Sequence, residues 1–370
     1  MASLTARRGV IPKPNVPAGE PINAAAWRRS LPPERVLAIR LQAMGDTIAT
    51  LPYLLALQRA IPGVRLDFVT RRAFVDVPGS VDLFDRVYAL GGGRSTKRQL
   101  LSALGLLPGL ALRRYDVVID LQRNRVSRLI RRVLNPHCWA EFDRYSPVLG
   151  GERIRQTIEA TGLGSLTVTP DLRLRAPDAG AARLRAAGWQ PGAILVALNP
   201  AGGFSGRNWP LESYVEFGDG LAAALGGSVQ FVVTGTPAIA PKVAVLRGGL
   251  GARLLDLIGT TLPEAFSIIK RCSLMVSEDG GLMHAAWVLG VPTIGLFGAS
   301  RWVWARPHGN YSELLNACRQ PDGVCMDGRC RAGSPTCLAK CQPHEAVALA
   351  VDLLSRSTRM RKAIYEPRGT

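Results

Sequence analysis

The segment Leu274–Gly298, LMVSEDGGLMHAAWVLGVPTIGLFG, decides how the whole chain is read. Leu274, Met275 and Val276 begin an apolar run that breaks at Glu278-Asp279-Gly280-Gly281. A helix-compatible stretch with His284 and Trp287 follows, and Thr293–Phe297 is a second apolar run. The pattern predicts a strand, a turn, a helix and a parallel strand. In such a unit the turn lies at the carboxyl end of the strand. Backbone N–H groups and the positive helix end face outward there, which suits an anion.

The totals agree with a large soluble α/β protein. At 370 residues the chain suits two domains, and 47% hydrophobic with 20% charged residues is globular composition. A net charge of +18 calls for an anionic partner: nucleic acid, an acidic membrane face or a phosphorylated substrate. Nucleic acid is disfavoured, because only 6% of residues are aromatic and no basic stretch is interleaved with stacking rings. The N-terminal stretch has charge and prolines but no apolar core, so no export signal is expected and the cytoplasm is the expected compartment. Leu100–Leu112, the most apolar stretch, is too short to span a bilayer. With Lys97, Arg98, Arg113 and Arg114 at its ends it reads either as a helix packed on its own domain or as one lying on a membrane surface.

Working outward, strand and helix patterns alternate twice. Residues 1–33 read as a disordered or loosely attached extension. Val36–Leu41, Val64–Thr70, Arg86–Leu90 and Tyr115–Leu121 are strands, with helices at Thr47–Ala60 and Val126–Asn135. The alternation restarts at Ile194–Leu198 and continues through Val229–Thr234 and Leu254–Ile258 into the opening segment. Two Rossmann-like domains facing a cleft are therefore expected, at 34–185 and 186–355, with the passage between them within 170–192. A helix at His344–Ser355 follows a cysteine-rich loop at 318–341, and a basic tail, 356–370, reads as solvated.

Four segments in order resemble the heptosyltransferase family of glycosyltransferases, glycosyltransferase family 9. They are VLAIRLQAMGDTIATLPYLLALQRAIPG at Val36–Gly63, YDVVIDLQ at Tyr115–Gln122, GRNWPLESY at Gly206–Tyr214 and SEDGGLMHAAWVLGVPTIGLFG at Ser277–Gly298. The resemblance implies the GT-B architecture, with the acceptor on the N-terminal domain and a nucleotide sugar, ADP-heptose first among candidates, on the C-terminal one. It also implies a cell-envelope acceptor of lipopolysaccharide type, an anionic glycolipid or phosphorylated glycan, and peripheral contact with the inner membrane. A sugar-nucleotide epimerase or another glycosyltransferase is the alternative on this architecture, and a basic nucleic-acid-binding protein the alternative from another class.

Asp46 stands where the family has its proposed base; a carboxylate at the cleft edge can take the proton of an attacking hydroxyl, or it can cap the next helix. Gly45, Gln122, Arg123 and Arg125 are the expected acceptor-side residues, with Arg71, Arg72 and Arg128 as further cationic candidates. Arg207 occupies a position where relatives often carry a lysine for the donor diphosphate, beside Trp209. The loop 201–206 would offer N–H groups to the same phosphates. Asp279, Gly280, Gly281, Leu282 and His284 align with the family's Asp-Thr-Gly-x-x-His pattern, and Thr234 and Gly235 end the neighbouring strand. Two departures are the glycine in place of threonine at 280 and the loop from Thr234 to Pro241, which has no carboxylate for a ribose.

No Asp-x-Asp pair is seen for a divalent ion, so the expected reaction is an inverting, metal-independent displacement with no catalytic cofactor. Five of the seven cysteines cluster: Cys318, Cys325, Cys330, Cys337 and Cys341. Cys325, Cys330, Cys337 and Cys341 are read as a structural zinc or iron site, with reduced thiols or a redox bridge as alternatives. Trp302 and Trp304 could stack on a sugar or base, or pack beneath that loop.

Overall fold

The computed structural model describes residues 22–365 except 145, 147, 203–206, 299, 301, 308 and 317–336, with side chains described up to residue 357. The N-terminal sheet contains β1 (Ala24–Ala25), β2 (Arg35–Ile39), β3 (Arg65–Arg71), β4 (Arg86–Leu90), β5 (Val117–Asp120) and β6 (Cys138–Glu141). Their spatial order is β1-β6-β5-β2-β3-β4, parallel except for β1. Helices α1 (Met44–Ala60), α2 (Asp76–Gly79), α3 (Thr96–Ala111), α4 (Arg125–Leu134) and α5 (Gly150–Glu159) accompany it. After α6 (Ala181–Ala186) comes the C-terminal sheet, β7 (Ile194–Asn199), β8 (Val229–Gly235), β9 (Leu254–Ile258), β10 (Leu274–Glu278), β11 (Thr293–Phe297) and β12 (Ser312–Asn316). It is parallel throughout, in the order β12-β11-β10-β7-β8-β9. Its helices are α7 (Leu211–Leu225), α8 (Ala240–Leu250), α9 (Leu262–Lys270), α10 (Gly281–Val288), α11 (Trp302–Ala305) and α12 (Pro343–Tyr365).

Local chemistry explains the boundaries. Asn124 accepts hydrogen bonds from the Val126 and Ser127 amides to start α4, which stops at left-handed Asn135. Thr261 and Glu264 form a reciprocal cap on α9, and left-handed Gly226 ends α7. β2, β5, β10 and β11 are buried on both faces, as strands inside a doubly wound sheet must be. Beneath the cleft one apolar core joins both sheets: Ile48 and Leu51 of α1 belong to the same cluster as Ala285 and Val288 of α10.

The extension expected at 1–33 is tied down at its end, since Ala24 and Ala25 pair with Ala140 and Trp139 at the edge of the first sheet. Residues 1–21 lie outside the described residues. The C-terminal helix runs on to Tyr365 instead of stopping at Ser355, because nothing between them breaks a helix. Arg356, expected in a solvated tail, bonds to the Asn310 carbonyl and pairs with Glu313 and Asp352. The passage region contains α6, which packs on α9; the Gly180 amide donates to Ser267 Oγ, and a β-carbon at Gly180 would overlap Ile268. Among the described residues no helix is long and apolar enough to cross a membrane.

Candidate active site

The helix starts of α1 and α10 meet across the two sheets. A β-carbon on Gly45 would lie 2.7 Å from the His284 ring, and one on Gly281 would overlap the end of Met44. The close approach of the His284 ring favours glycine at 45, whereas at Gly281 the flexible end of Met44 would have to swing aside. The two positive helix ends border one cleft of about 950 Å³. From the N-terminal side Arg40, Arg71, Arg94, Arg144 and Arg153 line it; Arg207 and Arg306 do so from the C-terminal side. Two carboxylates face them, Asp46 and Asp279, so the cleft is built for a ligand with several negative charges.

Asp46 stands in the first turn of α1. Its Oδ2 accepts from the Ala43 amide at 2.9 Å and lies 3.0 Å from Arg40 Nη2. Among the described residues Oδ1 has no hydrogen bond. The two readings of this residue are therefore compatible: one oxygen caps the helix and the other faces the cleft. Its side chain is 55% exposed, whereas that of Arg40 is 9% exposed. Desolvation by the cleft walls raises the Asp46 pKa, but Arg40, the Ala43 amide and His284 outweigh it and hold the carboxyl below its usual range. Gln122, at the cleft wall, uses its side-chain oxygen to accept from the Leu41 and Gln42 amides, and so shapes the loop that leads to Asp46.

Opposite, Arg207 Nη1 lies 3.1 Å from Asp279 Oδ2, both largely shielded from bulk solvent. His284 is near both Asp279 and Asp46; burial lowers its pKa against the pull of those carboxylates, so the imidazole is neutral at neutral pH. Beneath them Glu278, fully buried, accepts from the Gly202 amide at 2.5 Å and the Trp209 amide at 2.7 Å. Lys242 Nζ donates to the Pro200 carbonyl and to Asn208 Oδ1, at 2.5 and 2.7 Å. A carboxylate and an ammonium thus hold the backbone on both sides of Arg207.

Several expected site residues lie elsewhere. Trp209 is 1% exposed, donates from Nε1 to the Cys341 carbonyl and meets Tyr214 edge to face, so it supports the Arg207 segment from below. Thr234, Gly235 and Leu282 do not line the cleft. Thr234 is buried at the end of β8 and Gly235 bends against Ile239. Arg123 and Arg125 are also outside the cleft lining. The buried Glu141 carboxylate draws in Arg123, Arg128 and Arg131, while Arg125 is exposed at the start of α4. Arg72 is exposed beside Arg71 and does not line the cleft. Trp304 lines the cleft with Arg153 stacked 4.7 Å from its ring centroid; Trp302 is buried against Met283 and Phe297.

Residues 203–206 of the expected phosphate loop lie outside the described residues, as do Cys325 and Cys330 of the expected metal set and the clustered Cys318. Cys337 and Cys341 are buried, and burial pushes the Cys341 thiol up to about 12. Among the described residues no group of three His, Cys, Asp or Glu side chains could hold a metal. Arg40, Arg153, Arg306 and Glu278 are site features that the sequence reading missed. The one signal available for Arg40 and Glu278 was a charge within or just after an otherwise apolar strand.

Two Rossmann-like sheets facing a cleft lined by arginines and helix starts form the GT-B architecture. The pattern of glycosyltransferase family 9 (heptosyltransferase) matches residues 152–334. Lipopolysaccharide heptosyltransferase 1 of Pseudomonas aeruginosa is 27% identical over 315 residues, covering 80% of this chain and 87% of that protein. Among solved structures, a family 9 glycosyltransferase from Veillonella parvula superimposes with a TM-score of 0.73 at 17% identity, over 87% of this chain and 98% of the other. The Escherichia coli ADP-heptose lps heptosyltransferase II gives 0.68 at 17% identity, over 88% and 99%. The chain belongs to glycosyltransferase family 9 and is a glycosyltransferase.

Proposed function

We propose that the protein transfers a heptosyl group from a nucleotide diphosphate sugar, ADP-heptose, to a hydroxyl of a lipopolysaccharide-core acceptor, with inversion and without a catalytic metal. The observation that carries this reading is the free Oδ1 of Asp46 facing a cleft whose other wall holds Arg207 and the start of α10. As the acceptor oxygen bonds to the anomeric carbon, its proton passes to Asp46 Oδ1 and the bond from that carbon to the diphosphate oxygen breaks. The departing diphosphate gains negative charge, which Arg207 and the α10 amides stabilise. Attack from the side opposite the leaving group inverts the anomeric carbon. This arrangement meets the leaving-group charge with protein cations, so the reading requires no divalent ion. The arginines of the N-terminal wall fit acceptor phosphates, and such an acceptor places the enzyme at the inner face of the cytoplasmic membrane. The names of the relatives above support the choice of donor and acceptor.

The test is turnover with ADP-heptose and a soluble core saccharide, after thermal scanning with a panel of nucleotide sugars. ADP-heptose should raise Tm, and turnover should survive EDTA. No release of ADP with any core acceptor would overturn the reading. In the same assay Arg207→Ala should raise the donor KM about 10- to 100-fold, the worth of a charge-assisted phosphate contact. An unchanged donor KM would remove Arg207 from the donor site.

A further inference from the structure

Helix α3 is half core and half uncovered. Gln99, Ala103, Leu107 and Leu110 are buried, and the three aliphatic residues among them join the cluster under β2, β3 and β5. On the other face Leu101 is 69% exposed, Leu104 53% and Leu112, just past the helix end, 84%. Between these leucines the exposed positions are Gly105, Pro108, Gly109 and Ala111, so no polar side chain interrupts the face from Leu101 to Leu112. β-Carbons added at Gly105 or Gly109 would meet nothing within 4 Å. Cations bound this apolar face at both ends: Lys97 and Arg98 in the first turn, and Arg114 beyond Leu112, all exposed. Neither α3 nor its neighbour α4 contains a carboxylate, and α4 adds exposed Arg132 and Val133.

We infer that this face of α3 docks flat on an anionic lipid bilayer. A surface helix of this kind buries its apolar side at the boundary between headgroups and acyl chains while flanking cations meet lipid phosphates. A second copy of the chain would fit the leucines but not the rim, since a twofold contact sets Lys97, Arg98 and Arg114 against like charges. Position gives the docking a purpose, which rests on the proposed glycolipid acceptor. Arg94, which precedes the Ser95 cap of α3, lines the cleft, so a bilayer on α3 lies beside the acceptor entrance.

The experiment is co-flotation of the full chain with vesicles of phosphatidylethanolamine and phosphatidylglycerol, and with pure phosphatidylcholine vesicles, without acceptor or donor. Partitioning should favour the anionic vesicles on the order of a hundredfold, from several lysine and arginine contacts with the surface. The variant Leu101→Gln/Leu104→Gln/Leu112→Gln should lose about tenfold or more in vesicle binding. Its Tm and its turnover on a soluble acceptor should be unchanged. Undiminished flotation of this variant would overturn the inference, as would a dimer of the wild-type chain that the same substitutions dissociate. Vesicle binding that depends on α3 in a protein with no transferase activity would support the docking while the functional reading fails.

Discussion

Asp46→Asn is expected to lower kcat by about 10²- to 10⁴-fold, the contribution typical of a positioned general base, while leaving the donor KM within about twofold. The asymmetry of the carboxylate is the reason. Oδ2 is already engaged by the Ala43 amide and Arg40, whereas Oδ1 is open to the cleft. Asparagine keeps an oxygen for the amide and for Arg40 but places a group that cannot take a proton where Oδ1 was. Asp46→Ala removes both functions, so it should also cost about 1 kcal/mol of stability through the lost cap. Unfolding curves of the two variants therefore separate the cap from the base. Because Arg40 and the Ala43 amide hold the Asp46 pKa low, the acid limb of kcat/KM attributable to this group should fall below the ordinary carboxylate range. Normal turnover by Asp46→Asn would show that another group accepts the proton.

The placement of Asp46 was legible because the alternation of strands and helices is local. Val36–Leu41 reads as a buried strand and Thr47–Ala60 as a helix, and a residue between them must lie at the carboxyl edge of the sheet. The same logic placed Asp279 and Gly280. It failed where direction depends on a distant partner. Arg123 and Arg125 sit at the right edge, yet Arg123 turns to Glu141, which follows it by 18 residues on the neighbouring strand. Trp209 is two residues from Arg207 but points down, because its indole finds the Cys341 carbonyl 132 positions away. Arg153 and Trp304 reach the cleft through α5 and α11. The first of these falls in the stretch from Pro136 to Gly192, which is hard to parse from sequence, and α11 has only four residues. A two-residue strand such as β1 carries no pattern at all.

Glu278 shapes the cleft wall around Arg207 through contacts that the sequence alone does not display. Its two oxygens take the amides of Gly202 and Trp209, and a β-carbon on Gly202 would come within 2.7 Å of Oε2, so the backbone before Arg207 is pressed against this carboxyl. Burial drives its pKa up to about 7, against the two amides, Lys242 and Tyr214, which favour the ionised form. A raised carboxyl pKa means that the folded protein holds a proton the unfolded chain has released. The stability linked to Glu278 is therefore present in full below pH 4.5 and is lost as pH rises through about 7, a change of roughly 3 kcal/mol. His284, with its lowered pKa, acts in the opposite direction near neutrality, so wild-type curves alone mix the two. Comparison with Glu278→Gln isolates the carboxyl. The glutamine retains one acceptor oxygen, leaves one backbone amide facing an NH₂ group, and does not titrate; the wild-type advantage over it should be largest near pH 5 and shrink by about that amount at pH 8. Denaturant unfolding at pH 5, 6, 7 and 8 measures this directly. Loosening of the backbone around Arg207 should also raise the donor KM of the variant more than it lowers kcat. A stability difference that is constant across this range would mean that Glu278 is ionised throughout, and that its hold on Gly202 and Trp209 is that of a permanent charge.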